Sequence, residues 1–375
     1  MYNILTLNKI SKSGLANFDS TKYTCGDDFA APDAVIVRSA SMLEMDIPES
    51  VLAIARAGAG YNNIPVDKCT DQGICVFNTP GANANAVKEL VICGLLMASR
   101  RIAPSIDWCK TLKGQDEISK KIEKGKSNFA GPEIMGKTLG LIGLGAIGIK
   151  VANAAVALGM KVIGYDPFIS DKAAAMLDKS VVVTANTDDI FKESDYISVH
   201  APLTDSTKGI VGKDTLAMAK DGVRVLNFAR GGLVDNDAII DAINSGKCAA
   251  YATDFPTDAM LSMEAVIALP HLGASTPESE ENCAVMAVNQ IAAYMEKGDV
   301  INSVNLPCIT KEMTGAKRMT VIAKGADMDA VLAAAGSSDA VVGERSGVSY
   351  AIIDGADNAD AVKAVAGVIA VRVIG

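Results

Sequence analysis

Three groups of residues in this sequence have the type and spacing to do chemistry. The first is Gly143-Leu144-Gly145-Ala146-Ile147-Gly148, which follows the strand-like TLGLI and opens a helix-like run. Glycines so spaced permit a tight turn, close approach of a pyrophosphate and close helix–strand packing, while the helix start offers N–H donors to phosphate. The next strand-like run, KVIGYD, ends in Asp166, about the 20-residue distance at which a carboxylate meets the adenosine ribose hydroxyls. Asp166 would repel a 2′-phosphate and no arginine follows it in DPFIS, so the expected cofactor is NAD rather than NADP.

The second group is the pair of histidines, the only two in the chain: His200 in YISVHAPLT and His271 in ALPHLGAST. A neutral imidazole near pH 7 accepts a hydroxyl proton when a hydride leaves the same carbon. His271 is the expected base, and His200 is expected to be structural or to pack on the cofactor. A carboxylate beside the base would raise its pKa and fix its orientation, and Asp254 and Asp258 in ATDFPTDAM are the candidates, with Glu264 a surface alternative. The third group is Arg230 in VLNFARGG, whose guanidinium can hold a carboxylate in bidentate fashion and polarise the neighbouring carbonyl of a 2-oxo acid. In the amino-terminal part, Arg56-Ala-Gly58-Ala59-Gly60 reads as an anion-binding nest behind a strand, with Arg38 and Ser39 ending the preceding one.

All of these residues sit at the ends of apolar runs. NILTL, AVIVRS, LAIARAG, ICVFNT, TLGLIGLG, KVIGYDP, VVVTA, YISVH, VRVLNFA and AVIALP alternate with amphipathic segments, the pattern of parallel βαβ units. Such sheets carry their working residues at the carboxyl ends of strands. A helix from Asn85, as cap, to Arg100 shows an apolar stripe through Val87, Leu90, Val91, Leu95 and Ala98. A second runs to about Lys297 from a capping box of Ser275 and Glu278. Two such bridging helices imply a discontinuous first domain. Residues 318–375 read βαββαβ, a small third domain of ferredoxin-like order.

Composition narrows the functional classes. With 35 Lys+Arg against 44 Asp+Glu, a net charge of −9 argues against nucleic-acid or anionic-membrane partners, so a basic patch for an anionic substrate must be local. The apolar runs are shorter than the roughly 20 residues of a membrane span, and MYNILTLNKI lacks the features of a secretory signal. Eight scattered cysteines without C-x-x-C or metal-ligand spacing read as reduced thiols of a cytoplasmic protein that binds no metal.

Together RAGAGYNNI, NTPGANANAV, GLGAIG with YDP, SVHAPLT, NFARGG and PHLGAST resemble the D-isomer-specific 2-hydroxyacid dehydrogenases in order and spacing, over essentially the whole chain. ICVFNTPGANANAVKEL and NKISKSGL are similar to the phosphoglycerate-oxidising branch of that family. The resemblance implies an α/β architecture: a flavodoxin-like substrate domain (1–96 and 281–306) interrupted by a Rossmann dinucleotide-binding domain (97–280), then an ACT-like domain (316–375). It implies catalytic roles for Arg230, His271 and Asp258. Cofactor contacts are implied for Gly143, Gly145, Ala146, Ile147, Gly148, Asp166, His200, Ala201, Pro202, Thr204, Thr207, Ala229, Asp254 and Gly273. Substrate contacts are implied for Arg38, Ser39, Ala59, Gly60 and Asn83. Where the family has Asp-Val-Phe-x-x-Glu-Pro, this chain has Thr253-Asp-Phe-Pro-Thr-Asp258-Ala, which puts the shorter Asp258 at the glutamate position. The loop Lys324–Ala330 lacks the His and Asn-x-Pro-Gly of serine-sensitive relatives, so the tail is expected to be structural or oligomerising, with weak or no serine inhibition. The expected assembly is a homodimer or homotetramer acting on a small anionic substrate. Alternatives on the same scaffold are a hydroxypyruvate or glyoxylate reductase and a non-catalytic NAD(H)-sensing, corepressor-like protein.

Overall fold

The structure is a computed structural model describing residues 1–375, and the chain divides into two units, residues 1–83 with 276–375 and residues 84–275. In the first unit β1 (Tyr2–Leu7), β2 (Tyr23–Gly26), β3 (Ala34–Val37), β4 (Ala53–Arg56) and β5 (Cys75–Phe77) form a parallel sheet in the order β2-β1-β3-β4-β5, the flavodoxin-like order. In the second unit β6 (Thr138–Ile142), β7 (Lys161–Tyr165), β8 (Val182–Thr184), β9 (Tyr196–Val199), β10 (Val223–Asn227), β11 (Cys248–Thr253) and β12 (Val266–Ala268) are ordered β12-β11-β10-β9-β6-β7-β8. All their pairings are parallel, and the reversal of direction at β6 makes this the doubly wound dinucleotide-binding topology.

The helix Ala84–Ser99 buries Val87, Val91, Leu95 and Ala98 against Leu139, Leu141, Leu226 and Phe228, so it belongs to the second unit along its whole length. The helix Pro277–Lys297 buries Ala284, Ala287, Val288 and Ile291 in the core of the first unit. Expected boundaries at 96/97 and 280/281 cut through these helices; the units instead divide just before each one begins. The caps move too. The first helix begins at Ala84 and Asn85 lies inside it, bonded to Glu89, while the second is capped by Thr276, whose Oγ1 accepts the Ser279 N–H at 3.1 Å, not by Ser275.

Residues 318–374 form β13 (Arg318–Lys324), a helix Met328–Ala335, β14 (Ala340–Arg345), β15 (Val348–Asp354), a helix Ala359–Lys363 and β16 (Val368–Ile374), an antiparallel sheet ordered β14-β15-β13-β16. This is the expected βαββαβ order, but it does not stand apart as a third unit. Strand alternation sends Met319, Val321, Ala351 and Ile353 to its own helices, and Ile322, Tyr350 and Ile352 into the core of the 277–297 helix.

Charge reinforces that packing at the helix end, where the last carbonyls have no partner within the helix. Fully buried Arg318 donates to Lys297 O at 2.8 Å and forks onto Asp354 at 2.7 and 3.0 Å, and Lys311 adds a second cation at 2.7 Å. The Arg318 guanidinium holds the Asp354 carboxyl below its ordinary range. Gly298 ends the helix at φ 72°, where a Cβ would lie 2.4 Å from Thr320. Removing one partner of a buried pair costs about 3–5 kcal/mol because the other charge is stranded. Arg318→Ala is therefore expected to lose about 3 kcal/mol in urea unfolding, and Arg318→Met/Asp354→Leu less; a single-variant loss under about 1 kcal/mol would refute this account.

Candidate active site

In the second unit the last residues of β7, β6, β9, β10, β11 and β12 pair across the sheet as Tyr165, Ile142, Val199, Asn227, Thr253 and Ala268. Gly143, Asp166, His200, Arg230, Asp254 and His271 each follow one of these ends within a few residues. They therefore rise from one edge of the sheet.

The glycine turn divides its labour as a dinucleotide site requires. Gly143 has φ 100° and a Cβ on it would lie 2.7 Å from the His200 backbone; on Gly148 it would lie 2.1 Å from Gly143 O. Those two glycines serve close packing. Nothing lies within 4 Å of a Cβ placed on Gly145, which caps the helix Ala146–Ala157 without any side chain on its free N–H groups. That is an open approach to uncapped donors, which suits a pyrophosphate. Asp166 accepts Leu144 N–H at 2.8 Å and Phe168 N–H at 2.9 Å, so it orders the turn while each oxygen keeps a second lone pair.

His200 bonds Ser198 Oγ through Nε2 at 2.9 Å, and its Nδ1 is buried without a partner. Burial pushes its pKa down to about 4, so it is neutral at pH 7 and cannot be the ordinary proton carrier. Beyond it, Thr207 Oγ1 donates to Pro202 O at 2.6 Å and accepts Thr204 N–H at 2.8 Å, fixing the Ala201–Thr207 loop.

Arg230 is exposed, with Nη1 donating to Ala229 O at 2.7 Å. Its backbone is braced by buried Asn227, whose Nδ2 donates to Arg230 O and whose Oδ1 accepts Ala229 and Arg230 N–H. Asn227 was not singled out in the sequence, although it stands in NFARGG with a side chain that copies backbone bonding. Phe255 is the other unanticipated residue. Its ring lies 4.8 Å from that of His271, and a Cβ on Gly231 would contact it at 3.5 Å, so it joins the Arg230 turn to the histidine.

His271 is exposed, and the carboxylate within electrostatic reach of it is Asp254. Asp254 is 2% exposed and accepts Gly273 N–H at 3.1 Å, and its Oδ1 is buried without a partner. Burial raises its pKa above the ordinary carboxylate value, against the pull of Gly273 N–H and His271. Asp258, expected at the glutamate position, is exposed and begins the turn Asp258–Met260, which is anchored by buried Met260. Glu264 pairs with Arg101 on the surface.

The first unit holds the expected anion-binding residues. Arg38 Nη1 meets Glu280 Oε1 at 2.7 Å, and Ser39 N–H donates to Asn8. The Gly58 N–H, expected in a nest, donates to Arg56 O at 2.8 Å, and Ala59 O accepts Asn78 Nδ2 at 2.6 Å. Asn83 Oδ1 is buried and unpartnered.

Fold and strand-end constellation define a nucleotide-linked oxidoreductase of the doubly wound class. Residues 92–273 match the family "D-isomer specific 2-hydroxyacid dehydrogenase, NAD binding domain". The chain is 42% identical over 271 residues to a hydroxypyruvate reductase of Thermotoga maritima, covering 69% of this chain and 83% of that protein. It is 33% identical over 332 residues to a D-3-phosphoglycerate dehydrogenase of Bacillus subtilis, covering 83% of this chain and 60% of that one. A crystal structure of an Entamoeba histolytica 3-phosphoglycerate dehydrogenase with NAD+ bound is 27% identical with TM-score 0.63, covering 81% of this chain and 98% of that one. The chain belongs to the D-isomer-specific 2-hydroxyacid dehydrogenase family, and its second unit is the NAD-binding domain. No helix is long and apolar enough to cross a membrane.

Two outcomes follow. Gly145→Ala is expected to keep its unfolding free energy within about 0.5 kcal/mol and to weaken NADH binding about tenfold, read by fluorescence titration; unaltered affinity would remove the turn from the cofactor site. His200 binds its proton in the unfolded chain near pH 6.5 and in the folded one only near 4. Stability from this residue is complete above pH 6.5 and falls by about 3 kcal/mol on acidification through that window. His200→Asn should flatten this limb in urea midpoints measured against pH, and parallel curves would contradict it.

Proposed function

We propose that the protein catalyses the reversible NAD-linked oxidation of D-3-phosphoglycerate to 3-phosphohydroxypyruvate, the step that opens serine biosynthesis. The observation that carries the reading is that Arg230, His271 and buried Asp254 follow strand ends along the same sheet edge as the open Gly145 turn, with Phe255 packed on His271 and Asp254 within electrostatic reach of it. NAD, when bound, supplies the acceptor for the hydride that leaves C2 of the acid. Arg230 holds the C1 carboxylate and the C2 oxygen through its planar fork of donors. His271 takes the C2 hydroxyl proton, Phe255 orients the imidazole, and the Asp254 carboxylate stabilises the imidazolium that forms. Arg38, Ser39, the Ala59–Gly60 backbone and Asn83 are assigned to the substrate's acid groups. The phosphoglycerate dehydrogenases among the relatives support the phosphorylated substrate. The greater identity to a hydroxypyruvate reductase favours a second reading, reduction of hydroxypyruvate by the same machinery.

Initial rates of NADH oxidation with 3-phosphohydroxypyruvate, hydroxypyruvate, glyoxylate and pyruvate, repeated with NADPH, decide between them. A kcat/KM advantage for the phosphorylated acid with NADH is the expected result; an advantage for hydroxypyruvate selects the second reading. No turnover alongside tight NADH binding would replace both with an NAD(H) sensor.

His271→Ala should lower kcat by roughly 10²–10⁴-fold with NADH affinity retained. Asp254→Asn should cost more turnover than Asp258→Asn, and the reverse order would return the partnership to Asp258.

A further inference from the structure

Two asparagines in the motifs NKISKSGL and RAGAGYNNI, Asn8 and Asn63, have no part in the chemistry described so far. Leu7, Val37 and Arg56 pair across β1, β3 and β4, so the loops that leave those strands start side by side. Asn8 opens the first of these loops, and Arg38 and Ser39 open the second.

Asn8 stands in the left-handed region at φ 69°, which glycine, asparagine and aspartate tolerate best. Its Oδ1 accepts the N–H of Ser39 at 3.1 Å and also that of Ala40. From the other flank Asn63 Nδ2 donates to Ala40 O at 2.7 Å and to Arg38 O at 3.4 Å, and Arg56 Nε donates to Arg38 O at 3.1 Å. Side chains that follow or end the two neighbouring strands thus take two donors and two acceptors from the backbone of the Arg38–Ala40 turn. The turn is clamped from both sides.

The clamp also decides what the turn can offer a ligand. The Ser39 and Ala40 N–H groups are spent on Asn8, so an anion must be met by side chains: the Arg38 guanidinium, of which Glu280 takes the Nη1 side, and the hydroxyl of exposed Ser39. A turn ordered in advance spares the complex the entropy of ordering it on binding.

We propose that Asn8 is a positioning residue for the anionic substrate: it fixes the turn that presents the Arg38 guanidinium and the Ser39 hydroxyl to the substrate's acid group, with Asn63 bracing the same turn from the far side. This rests on the substrate role assigned above to Arg38 and Ser39.

The test compares Asn8→Gly and Asn8→Asp in the full chain with NADH, at about 0.15 M salt, where a Debye length of about 8 Å limits the reach of the added charge. Glycine keeps the left-handed backbone and removes the acceptor; aspartate keeps both. Asn8→Gly is expected to raise KM for the preferred 2-oxo acid about fivefold or more, with kcat within about twofold of the parent and NADH affinity unaltered, the signature of lost substrate binding. Asn8→Asp should return KM to within about twofold of the parent. A merely structural role would lower the urea midpoint and leave KM in place. An unaltered KM in Asn8→Gly, or a rise as large in Asn8→Asp, overturns the proposal. If the chain turns over none of the four acids, the dehydrogenase reading falls, and calorimetric titration of the NAD+-saturated chain with 3-phosphoglycerate judges the clamp. A dissociation constant about fivefold larger in Asn8→Gly supports it; equal affinities, or no binding by the parent chain, overturn it.

Discussion

The flush register of the parallel strands in the second unit is the constraint on which the candidate site depends. Ile142, Tyr165, Val199, Asn227, Thr253 and Ala268 end their strands side by side, so six separate loops leave the sheet along one line. A slip of one residue in any pair would reverse which side chains face the core and withdraw a loop from that line. Both faces of these strands are buried: Leu139 and Leu141 pack toward the 84–99 helix, Ile142 and Ile197 toward the opposite layer. Burial on two faces makes such a slip expensive, so the hydrophobic cores fix the geometry of the residues that rise from the strand ends.

This division explains what could be read in advance. Strands that are continuous apolar runs, such as TLGLI and YISV, are visible because a strand buried on both faces needs no polar alternation. Their ends are visible because Gly143, His200 and Arg230 interrupt those runs with residues unsuited to a core. The βαββαβ order of the tail is legible for the same reason, since RMTVIAK and VSYAIID are buried on both faces and the elements are broken by glycine and asparagine turns.

Features decided by three-dimensional packing were not legible. β11 reads CAAYAT, too rich in small residues to declare itself a strand, yet it carries Asp254 to the site. Whether Asp254 or Asp258 faces His271 turns on the path of the chain after β11, which a match of motif spacing does not describe. The helices Ile102–Thr111 and Ile118–Gly125 bury no residue, and Ile118 and Ile122, four apart on one face of the second, remain exposed. The tail reads as a separate domain because its strands and helices suffice for a fold. Its attachment to the 277–297 helix is written in residues such as Arg318, Ile322, Tyr350, Ile352 and Arg372, whose facing is fixed only by the strand register.

Charge supplies a last connection between composition and site. A chain with a net charge of −9 must gather positive potential locally to hold an anion, and Arg38 is already engaged by Glu280 at 2.7 Å. That pair is about a third exposed on each side, and ion pairs in such settings are worth roughly 0–1 kcal/mol. An incoming anion therefore loses less than about tenfold in affinity by competing for Arg38, since 1.4 kcal/mol is a factor of ten. The guanidinium presents five donors, and Glu280 takes only the Nη1 side. The carboxylate thus holds the arginine in place at small cost to binding, a balance that burial of the same pair would reverse by making each charge dependent on the other.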